Sequence, residues 1–372
     1  MSIILLVFVV YAICIVSEYL FDRYWNHNLK IDMEFSKNEA YVGEKLRLNY
    51  TVVNNKPMAL PLIQLKFNTS RYLDFYEDAN STVTDNSYHS ELISIGGNQV
   101  ITQNNEFICT HRGEFVINEV DLITYNMFLS NKSIIKFHTD INLIVFPKIV
   151  ETEMFNFTFK GLLGDILSTR RLIDDPFDFR GIRDYQTFDS MKSINWSASA
   201  RSLGLKVNVY NYTASQKIRI IANIDNDLVS RHDDLSEACI SLAASFAYAF
   251  LKEGIETSCY CNALNKKTKK LIAIPGGTGK KHLDYILFSL ARLDISEVKE
   301  DFTTLTKNLI KDCSENEWLL IISASRNKEL QKAIIETFPN PDEVTLVVPT
   351  YSSSRENQPK WLKNVINWYI DD

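Results

Sequence analysis

The sequence predicts a multidomain chain with an N-terminal transmembrane helix, then a β-sandwich, then a doubly wound α/β domain. Three observations indicate this fold class. An uncharged apolar run opens the chain, alternating apolar and polar residues follow it, and strand-like runs alternate with helical runs in the C-terminal part. With 372 residues, the chain is also longer than one hydrophobic core normally serves.

Composition and charge narrow the class of protein. Hydrophobic residues make up 45% of the chain and charged residues 23%, which is typical of a globular protein. A net charge of -6 argues against a general nucleic-acid-binding protein, which needs a basic surface. The six cysteines are scattered, so they favour a reducing compartment over a disulfide framework. Cys259 and Cys261 lack the second pair that a zinc site would need.

Residues 1–25 are expected to form the membrane anchor. A helix from Ile3 to Phe21 would be about 28 Å long, which is enough to cross a bilayer core. No basic residue precedes the run and no small-x-small cleavage site follows it, so an anchor is favoured over a signal peptide. Tyr24 and Trp25 resemble an interfacial aromatic belt. Arg23 and Lys30 follow the run, which predicts that the rest of the chain is cytoplasmic.

Residues 31–148 predict the β-sandwich. In "EKLRLNYTVVN" every second residue is apolar, which indicates a strand with one buried face; these apolar residues are Leu46, Leu48, Tyr50 and Val52. Further strand-like runs follow at short intervals, with turn residues between them. This pattern predicts an immunoglobulin-like sandwich, a module that binds proteins or acts as a spacer.

Residues 215–372 predict the α/β domain. "KIRIIANID" and "EWLLIIS" are apolar along their length, as buried parallel strands require. "LSEACISLAASFAYAFLKEG" predicts a long helix ending at Gly254. "NKELQKAIIETF" predicts a further helix, and "PKWLKNVINWYI" predicts a closing helix over 359–370. Such an alternation predicts a mainly parallel sheet, with ligand sites at the carboxyl ends of its strands.

The stretch "PGGTGK" resembles a phosphate-binding loop only superficially. Ile274 stands where a Walker motif needs a glycine, and Lys281 stands where it needs serine or threonine. We interpret it as a glycine turn.

Residues 149–214 connect the two modules and carry the most distinctive motif, "DFRGIRDYQTFDSMKSINWSASAR". It is similar to the signature of the DUF58 family, which runs Arg-Gly-x-Arg-x-Tyr, then Gly-Asp-x-x-Arg-x-Ile-Asn/Asp-Trp, then Ala-Arg with a Leu-x-Val strand. The matching residues are Arg180, Gly181, Arg183, Tyr185, Asp189, Ile194, Asn195, Trp196, Ala200, Arg201, Leu205 and Val207. Three residues depart from the pattern: Phe188 replaces the glycine before the aspartate, Lys192 the arginine, and Ser197 a lysine that follows the tryptophan.

The resemblance extends over nearly the whole chain and carries several expectations. It implies a membrane-anchored protein of unknown activity with a von Willebrand A-like C-terminal domain. It also implies a MoxR-type AAA+ ATPase as partner.

The signature residues allow three interpretations: a structural network, a recognition surface or a catalytic site. The eight residues concerned are Arg180, Gly181, Arg183, Tyr185, Asp189, Asn195, Trp196 and Arg201. The structural network, a buried cluster of ion pairs and aromatic rings, ranks first, because such networks are commoner than sites. As a recognition surface they would bind a protein partner. Catalysis ranks third, because Ser197 and Ser199 have no histidine nearby. Asp189 and Ser190 predict an N-cap for a helix over "MKSINWSASARSL".

A metal site of the von Willebrand A type would use Asp-x-Ser-x-Ser after the first α/β strand. The matching stretch begins at Asp225, but Asp227 replaces the first serine and Val229 the second. Thr278 is the remaining weak candidate. We therefore expect no Mg²⁺ site, and no other cofactor.

These observations predict a non-catalytic, membrane-anchored scaffold for protein–protein assembly that works with a MoxR-type AAA+ ATPase and does not bind nucleic acid. Two alternatives stay open: a Mg²⁺-dependent adhesion module, and a cell-envelope enzyme whose site the sequence does not reveal.

Overall fold

The structure is a computed structural model that describes residues 2–75, 86–125, 132–168, 174–186, 189–202, 204–212, 216–225, 233–298, 300–313, 317–325, 332, 336, 343–351 and 364–370. Side chains are described for these residues except 2, 3, 86, 167, 168, 174–180, 210–212, 297 and 298. The chain forms two compact units. The first comprises Met1–Ile149 with Leu287–Leu293, and the second comprises Val150–Ile286 with Asp294–Asp372.

Helix α1 (Ser2–Tyr24) opens the first unit, and it is long and apolar enough to cross a membrane. It is therefore compatible with a membrane anchor. The predicted interfacial belt is wrong for Trp25, which is buried with Phe21 in the hydrophobic core of the first unit, whereas Tyr24 is exposed. Asn28, just beyond the helix, accepts a backbone hydrogen bond from Asn55.

Nine strands follow in the first unit: β1 (Leu29–Phe35), β2 (Glu39–Tyr41), β3 (Lys45–Asn54), β4 (Leu60–Ser70), β5 (Leu73–Phe75), β6 (Asn86–Ile95), β7 (Gln99–Cys109), β8 (Gly113–Tyr125) and β9 (Lys132–Phe146). They form two sheets, with strand orders β1-β3-β7-β5 and β2-β9-β8-β4-β6. The described pairings are antiparallel except that between β2 and β9, which is parallel.

Alternate residues of these strands build the core of the first unit. The predicted inward face of β3 is confirmed, because its four apolar residues are at most 3% exposed. They share one cluster with inward residues of the other sheet, such as Leu65 on β4 and Leu122 on β8. Two sheets therefore enclose one core, as in a sandwich. Its immunoglobulin-like type stays a prediction.

The second unit contains these elements: α2 (Glu153–Ser168), β10 (Asp174–Asp184), a 3-10 turn (Met191–Ser193), α3 (Trp196–Ser199), β11 (Lys206–Tyr212), β12 (Lys217–Ala222), α4 (Asp233–Lys252), β13 (Glu256–Asn265), β14 (Leu271–Gly277), α5 (Lys280–Ala291, with its last residues in the first unit), β15 (Leu293–Val298), α6 (Phe302–Lys311), β16 (Glu317–Ile322), β17 (Val344–Tyr351) and β18 (Val365–Ile370).

Seven of these strands form one sheet in the order β14-β13-β12-β16-β17-β18, with β15 paired to β13. β12 pairs in parallel with β13 and β16, and β17 pairs in parallel with β16 and β18. β14 is antiparallel to β13. The predicted mainly parallel sheet is thus confirmed, and β16 is buried along its whole length, as its apolar sequence predicts.

Helices cover this sheet. Helix α4 is also apolar and long enough to cross a membrane, but most of it is buried inside the protein. Helix α2 packs on α4 through Phe155 against Phe246 and Phe159 against Phe250, with ring centroids 5.0 and 5.1 Å apart. Helix α6 packs through Phe302 and Ile310 against alternate residues of the sheet.

A buried ion pair joins two central strands of the sheet. Arg219 on β12 donates to Glu317 on β16 through Nε to Oε1 at 2.8 Å and Nη2 to Oε2 at 2.9 Å. The two side chains are 10% and 7% exposed. Arg219 also donates to the carbonyl oxygens of Leu309 and Asp312, and so ties the end of α6 to the sheet.

The predicted closing helix over 359–370 is wrong in the part that the structure describes. Val365–Ile370 is a strand that pairs in parallel with β17, with Val365 opposite Leu346. Its β-branched and aromatic residues suit a strand. The predicted helix over "NKELQKAIIETF" lies outside the described residues except for residues 332 and 336.

Candidate functional site

The signature segment, residues 178–207, begins on a two-stranded antiparallel sheet of β10 and β11. Gly181 pairs with Val209 and Arg183 with Val207, and the register shifts between Phe179 and Gly181. Arg180 is therefore the extra residue of a bulge, a feature that often re-aims a strand near functional sites. The side chain of Arg180 lies outside those that the structure describes. The backbone N–H of Tyr185 then donates to Leu205 and extends the pairing.

Arg183 and Asp189 form a two-pronged ion pair across the turn after β10. Nη1 of Arg183 lies 2.6 Å from Oδ2 of Asp189, and Nη2 lies 2.5 Å from Oδ1. Oδ2 also accepts the backbone N–H of Gln186 at 2.8 Å. The hydrogen bond from Arg183 is the main reason that the pKa of Asp189 is lowered from its ordinary value. The Arg183 side chain nevertheless stays 41% exposed.

Asn195 holds the short helix α3 against β11. Its Oδ1 caps the helix by accepting from the N–H of Ala198 at 2.9 Å, and its Nδ2 donates to Asn208 at 2.7 Å. Its own N–H donates to the carbonyl of Lys206. The predicted single helix after Ser190 is wrong: Ser190 caps only the 3-10 turn, and Asn195 starts a separate helix of four residues.

Trp196, the largest side chain of the signature, is not buried in the way that a structural network would require. Trp196 is 64% exposed, and Arg183 and Arg201 are exposed as well. Tyr185 is half-buried. The segment is instead fixed by its backbone and by Asn195, while its largest side chain extends into solvent.

Among the described side chains of the segment, four large apolar ones are exposed: Ile182, Met191, Trp196 and Leu205, with exposed fractions from 43% to 71%. Lys192 and Arg201, which are also exposed, have no ion-pair partner among the described residues. This combination of exposed apolar and cationic groups was not visible in the sequence, because nothing in the motif says which side chains are buried.

The carboxyl edge of the seven-stranded sheet carries a buried network of neutral groups. Asn223, directly after β12, donates through Nδ2 to Oγ of Ser323 at 2.9 Å. Its Oδ1 accepts from Nδ2 of Asn262 at 2.8 Å and from the N–H of Asp225 at 3.1 Å. Asn223, Asn262 and Ser323 are at most 3% exposed. Sequence reasoning missed Asn223, since attention to carboxylates selected Asp225 two residues later.

The weak metal candidates do not converge in the part of the chain that the structure describes. Asp225 is exposed, Thr278 is exposed after β14, and Asp227 lies outside the described residues. Within the described ranges, no group of three or more His, Cys, Asp or Glu side chains could hold a metal ion.

The "PGGTGK" stretch has a structural explanation. A Cβ on Gly277 would lie 2.5 Å from Nδ1 of His282, whose Nε2 lies 2.7 Å from the carbonyl oxygen of Thr257. Gly279 has a φ of +81°, which favours glycine, and turns the chain into α5. Both features are consistent with a glycine turn.

The fold and the site thus define a class: a chain with a long apolar N-terminal helix, a two-sheet unit and a mainly parallel α/β unit that carries the signature segment, in which Trp196 is exposed. Residues 181–334 match the family described as "Protein of unknown function DUF58". This match covers less than half of the chain, and it agrees with the resemblance that the signature carries.

Other comparisons add little. No curated protein matches the chain. Among solved structures, the CARDB domain of a Pyrococcus furiosus protein in complex with di-metal ions is 11% identical, with 32% of this chain and 93% of that chain covered and a TM-score of 0.20. The sporulation control protein Spo0M of Bacillus subtilis is 17% identical, with 39% and 57% covered and a TM-score of 0.19.

The alkylpurine DNA glycosylase AlkC of Pseudomonas fluorescens is 13% identical, with 30% of each chain covered and a TM-score of 0.19. This chain therefore spans little more than half of Spo0M and less than a third of AlkC. Scores at this level establish neither a shared fold nor a shared function.

Proposed function

We propose that this protein is a non-catalytic, membrane-anchored scaffold that binds a protein partner through its signature segment. The observation that carries the proposal is the exposure of Trp196 together with three further large apolar side chains. Tryptophan and methionine are enriched where proteins bind one another. The partner that the family resemblance suggests is a MoxR-type AAA+ ATPase.

The second unit supports a von Willebrand A-like assignment for the α/β domain. With β15 set aside, the strands follow the spatial order third, second, first, fourth, fifth, sixth, which is a doubly wound order. The antiparallel strand β14 at one edge is compatible with such a sheet.

A matched pair of variants tests the binding role. Full-length protein would be purified from native membranes as wild type, as Trp196→Ser and as Phe157→Ser. Phe157 on α2 is 82% exposed and lies outside the signature. We expect the wild type and Phe157→Ser to retain the same partner, and Trp196→Ser to lose it. An AAA+ ATPase recovered only with ATP bound would support the MoxR-type partner; equal losses from both variants would contradict the proposal.

The metal-dependent alternative would require cation binding at the carboxyl edge of the sheet. The amide oxygen of Asn223 already accepts two hydrogen bonds there, and its neighbours Asn262 and Ser323 are neutral. We expect titration calorimetry with Mg²⁺ and Mn²⁺ to find no binding tighter than about 1 mM. Tighter binding that disappears in Asp225→Ala would favour the alternative instead.

We also propose that the soluble part faces the cytoplasm, since Arg23 and Lys30 follow the apolar helix. A single engineered cysteine at exposed Lys266 tests this side. A membrane-impermeant maleimide should label it only after the cells are lysed. Labelling in intact cells would place the domain outside.

A further inference from the structure

The signature segment has a surplus of positive charge in a chain whose net charge is negative. Among described side chains between residues 181 and 207, four are cationic and two are carboxylates. Both carboxylates are already paired: Asp189 with Arg183, and Asp184 with Lys206 at 2.6 Å. Lys192 and Arg201 are left without an ion pair among the described residues, and they flank Trp196 along the chain.

From this arrangement, and resting on the proposed function, we infer that the partner presents an apolar pocket rimmed by aspartate or glutamate side chains. The indole of Trp196 fills the pocket, because a large rigid side chain in a desolvated pocket is the usual centre of a protein interface. Arg201 offers a planar fork that matches a carboxylate, and Lys192 adds a second cation. Met191 adapts to the pocket wall.

A membrane surface fits these residues less well than a protein does. Two unpaired cations raise the affinity for an anionic bilayer by only about thirty-fold. Helices that bind in the membrane interface present one continuous apolar face. Here the apolar residues come from a strand, a 3-10 turn, a helix of four residues and a loop. Such an irregular surface suits a partner of fixed shape.

The test places a photo-reactive amino acid at position 196 of the full-length protein in native membranes, with the same group at position 157 as the matched control. The peptides cross-linked after illumination would be identified by mass spectrometry. We expect a protein cross-link at position 196 that is absent at position 157, on a peptide with Asp or Glu beside apolar residues.

Charge reversal then tests the carboxylate rim. The double change Lys192→Glu/Arg201→Glu should reduce the cross-link yield at least about ten-fold, as loss of two cross-interface ion pairs predicts. The matched double change Lys160→Glu/Lys266→Glu, at exposed lysines outside the signature, should leave the yield unchanged. Replacing the captured carboxylates of the partner with lysine should restore the yield with the doubly reversed chain. Melting temperatures of the variants would confirm that each one folds.

The outcomes separate the inference from the function on which it rests. A protein cross-link that is insensitive to charge reversal, or a captured peptide without carboxylates, would overturn the acidic rim and leave the scaffold role intact. Cross-linking to phospholipid at position 196 would overturn the inference in favour of a membrane surface. Equal protein cross-linking at positions 196 and 157, or none at either, would overturn the scaffold role as well.

Discussion

The second unit contains an arginine–carboxylate ion pair close in sequence to a tryptophan in two places, once in its seven-stranded sheet and once in its signature segment. In the sheet, Arg219 pairs with Glu317, and Trp318 is 1% exposed. In the signature, Arg183 pairs with Asp189, and Trp196 is 64% exposed. The difference arises from the elements. β16 lies between two parallel strands, whereas β10 and β11 pair in a sheet of their own. Burial, rather than residue type, therefore separates groups that hold the fold from groups that are available to a partner.

The largest effect should come from Trp318→Ala. The indole is buried, and its Nε1 donates to Oγ1 of Thr345 at 3.1 Å. Its removal should lower the free energy of unfolding by about 3–5 kcal/mol. Denaturant titration of the full-length protein in detergent measures this loss. A loss below about 1 kcal/mol would break the comparison.

Glu317→Ala should have an effect of similar size for an electrostatic reason. The guanidinium of Arg219 would stay buried without its carboxylate, which costs about 3–5 kcal/mol of unfolding free energy. The double variant Arg219→Met/Glu317→Leu should be more stable than Glu317→Ala, because no charge is left buried. If the double variant were the less stable of the two, the hydrogen bonds from Arg219 to α6 would matter more than the charge.

His89 in the first unit extends the comparison to pH. It is 3% exposed and stacks on Phe67, and burial lowers its pKa to about 4, against the opposing charge of Glu91. Between pH 6.5 and 4 the unfolded chain binds a proton that the folded chain does not, so stability falls as pH falls. The loss should reach about 3 kcal/mol.

Unfolding at about pH 7.5 and about pH 4 checks this prediction. His89→Phe should remove this part of the loss. His138→Phe should leave it unchanged, because the His138 side chain is 76% exposed. Equal pH dependence in wild type and His89→Phe would show that the buried imidazole is not responsible.

Trp196→Ala should change the free energy of unfolding by no more than about 0.5 kcal/mol, because most of the indole surface is exposed to solvent in the folded protein. Thermal unfolding of Trp196→Ala and Trp318→Ala, measured side by side, compares the two tryptophans directly. If both variants lose similar stability, the signature has a structural role.

The smallest effect should come from Arg183→Ala. The ion pair is open to solvent on its Arg183 side, where the side chain is 41% exposed, so the melting temperature should fall by less than about 1 °C at low salt and by less at high salt. Since Arg183 lowers the pKa of Asp189, this contribution is present at neutral pH and disappears as pH falls through the folded-state pKa. A large effect that persists in strong acid would contradict an electrostatic origin.

Much of the fold could be predicted from local pattern. The spacing of apolar residues along the sequence predicts each of three elements. Alternating apolar residues predict β3, a continuous apolar run predicts β16, and a long apolar stretch with helical spacing predicts α4. β18 could not be assigned this way, because Val365–Ile370 becomes a strand by pairing with β17, a contact between residues distant in sequence. Short apolar runs are ambiguous between helix and strand for this reason.

The candidate site could be located from the sequence but not interpreted. The motif identified the residues, but it predicted Asp189 and Ser190 as the cap of one helix, whereas Asn195 caps helix α3 and Ser190 caps only the 3-10 turn. The exposure of Trp196 could not be predicted, because tryptophan occurs both in interiors and at interfaces. The network at Asn223 was missed because amides were not weighed against carboxylates.

The burial of Phe21 and Trp25 in the core of the first unit has a practical consequence for any truncated, soluble form of the protein. Cutting the chain after Trp25 to remove α1 would delete two aromatic side chains that are 7% and 5% exposed, and would open a void between the sheets. A truncation that begins at Leu20 would keep both rings. We therefore expect the fragment that begins at Leu20 to fold, and the fragment cut after Trp25 to aggregate.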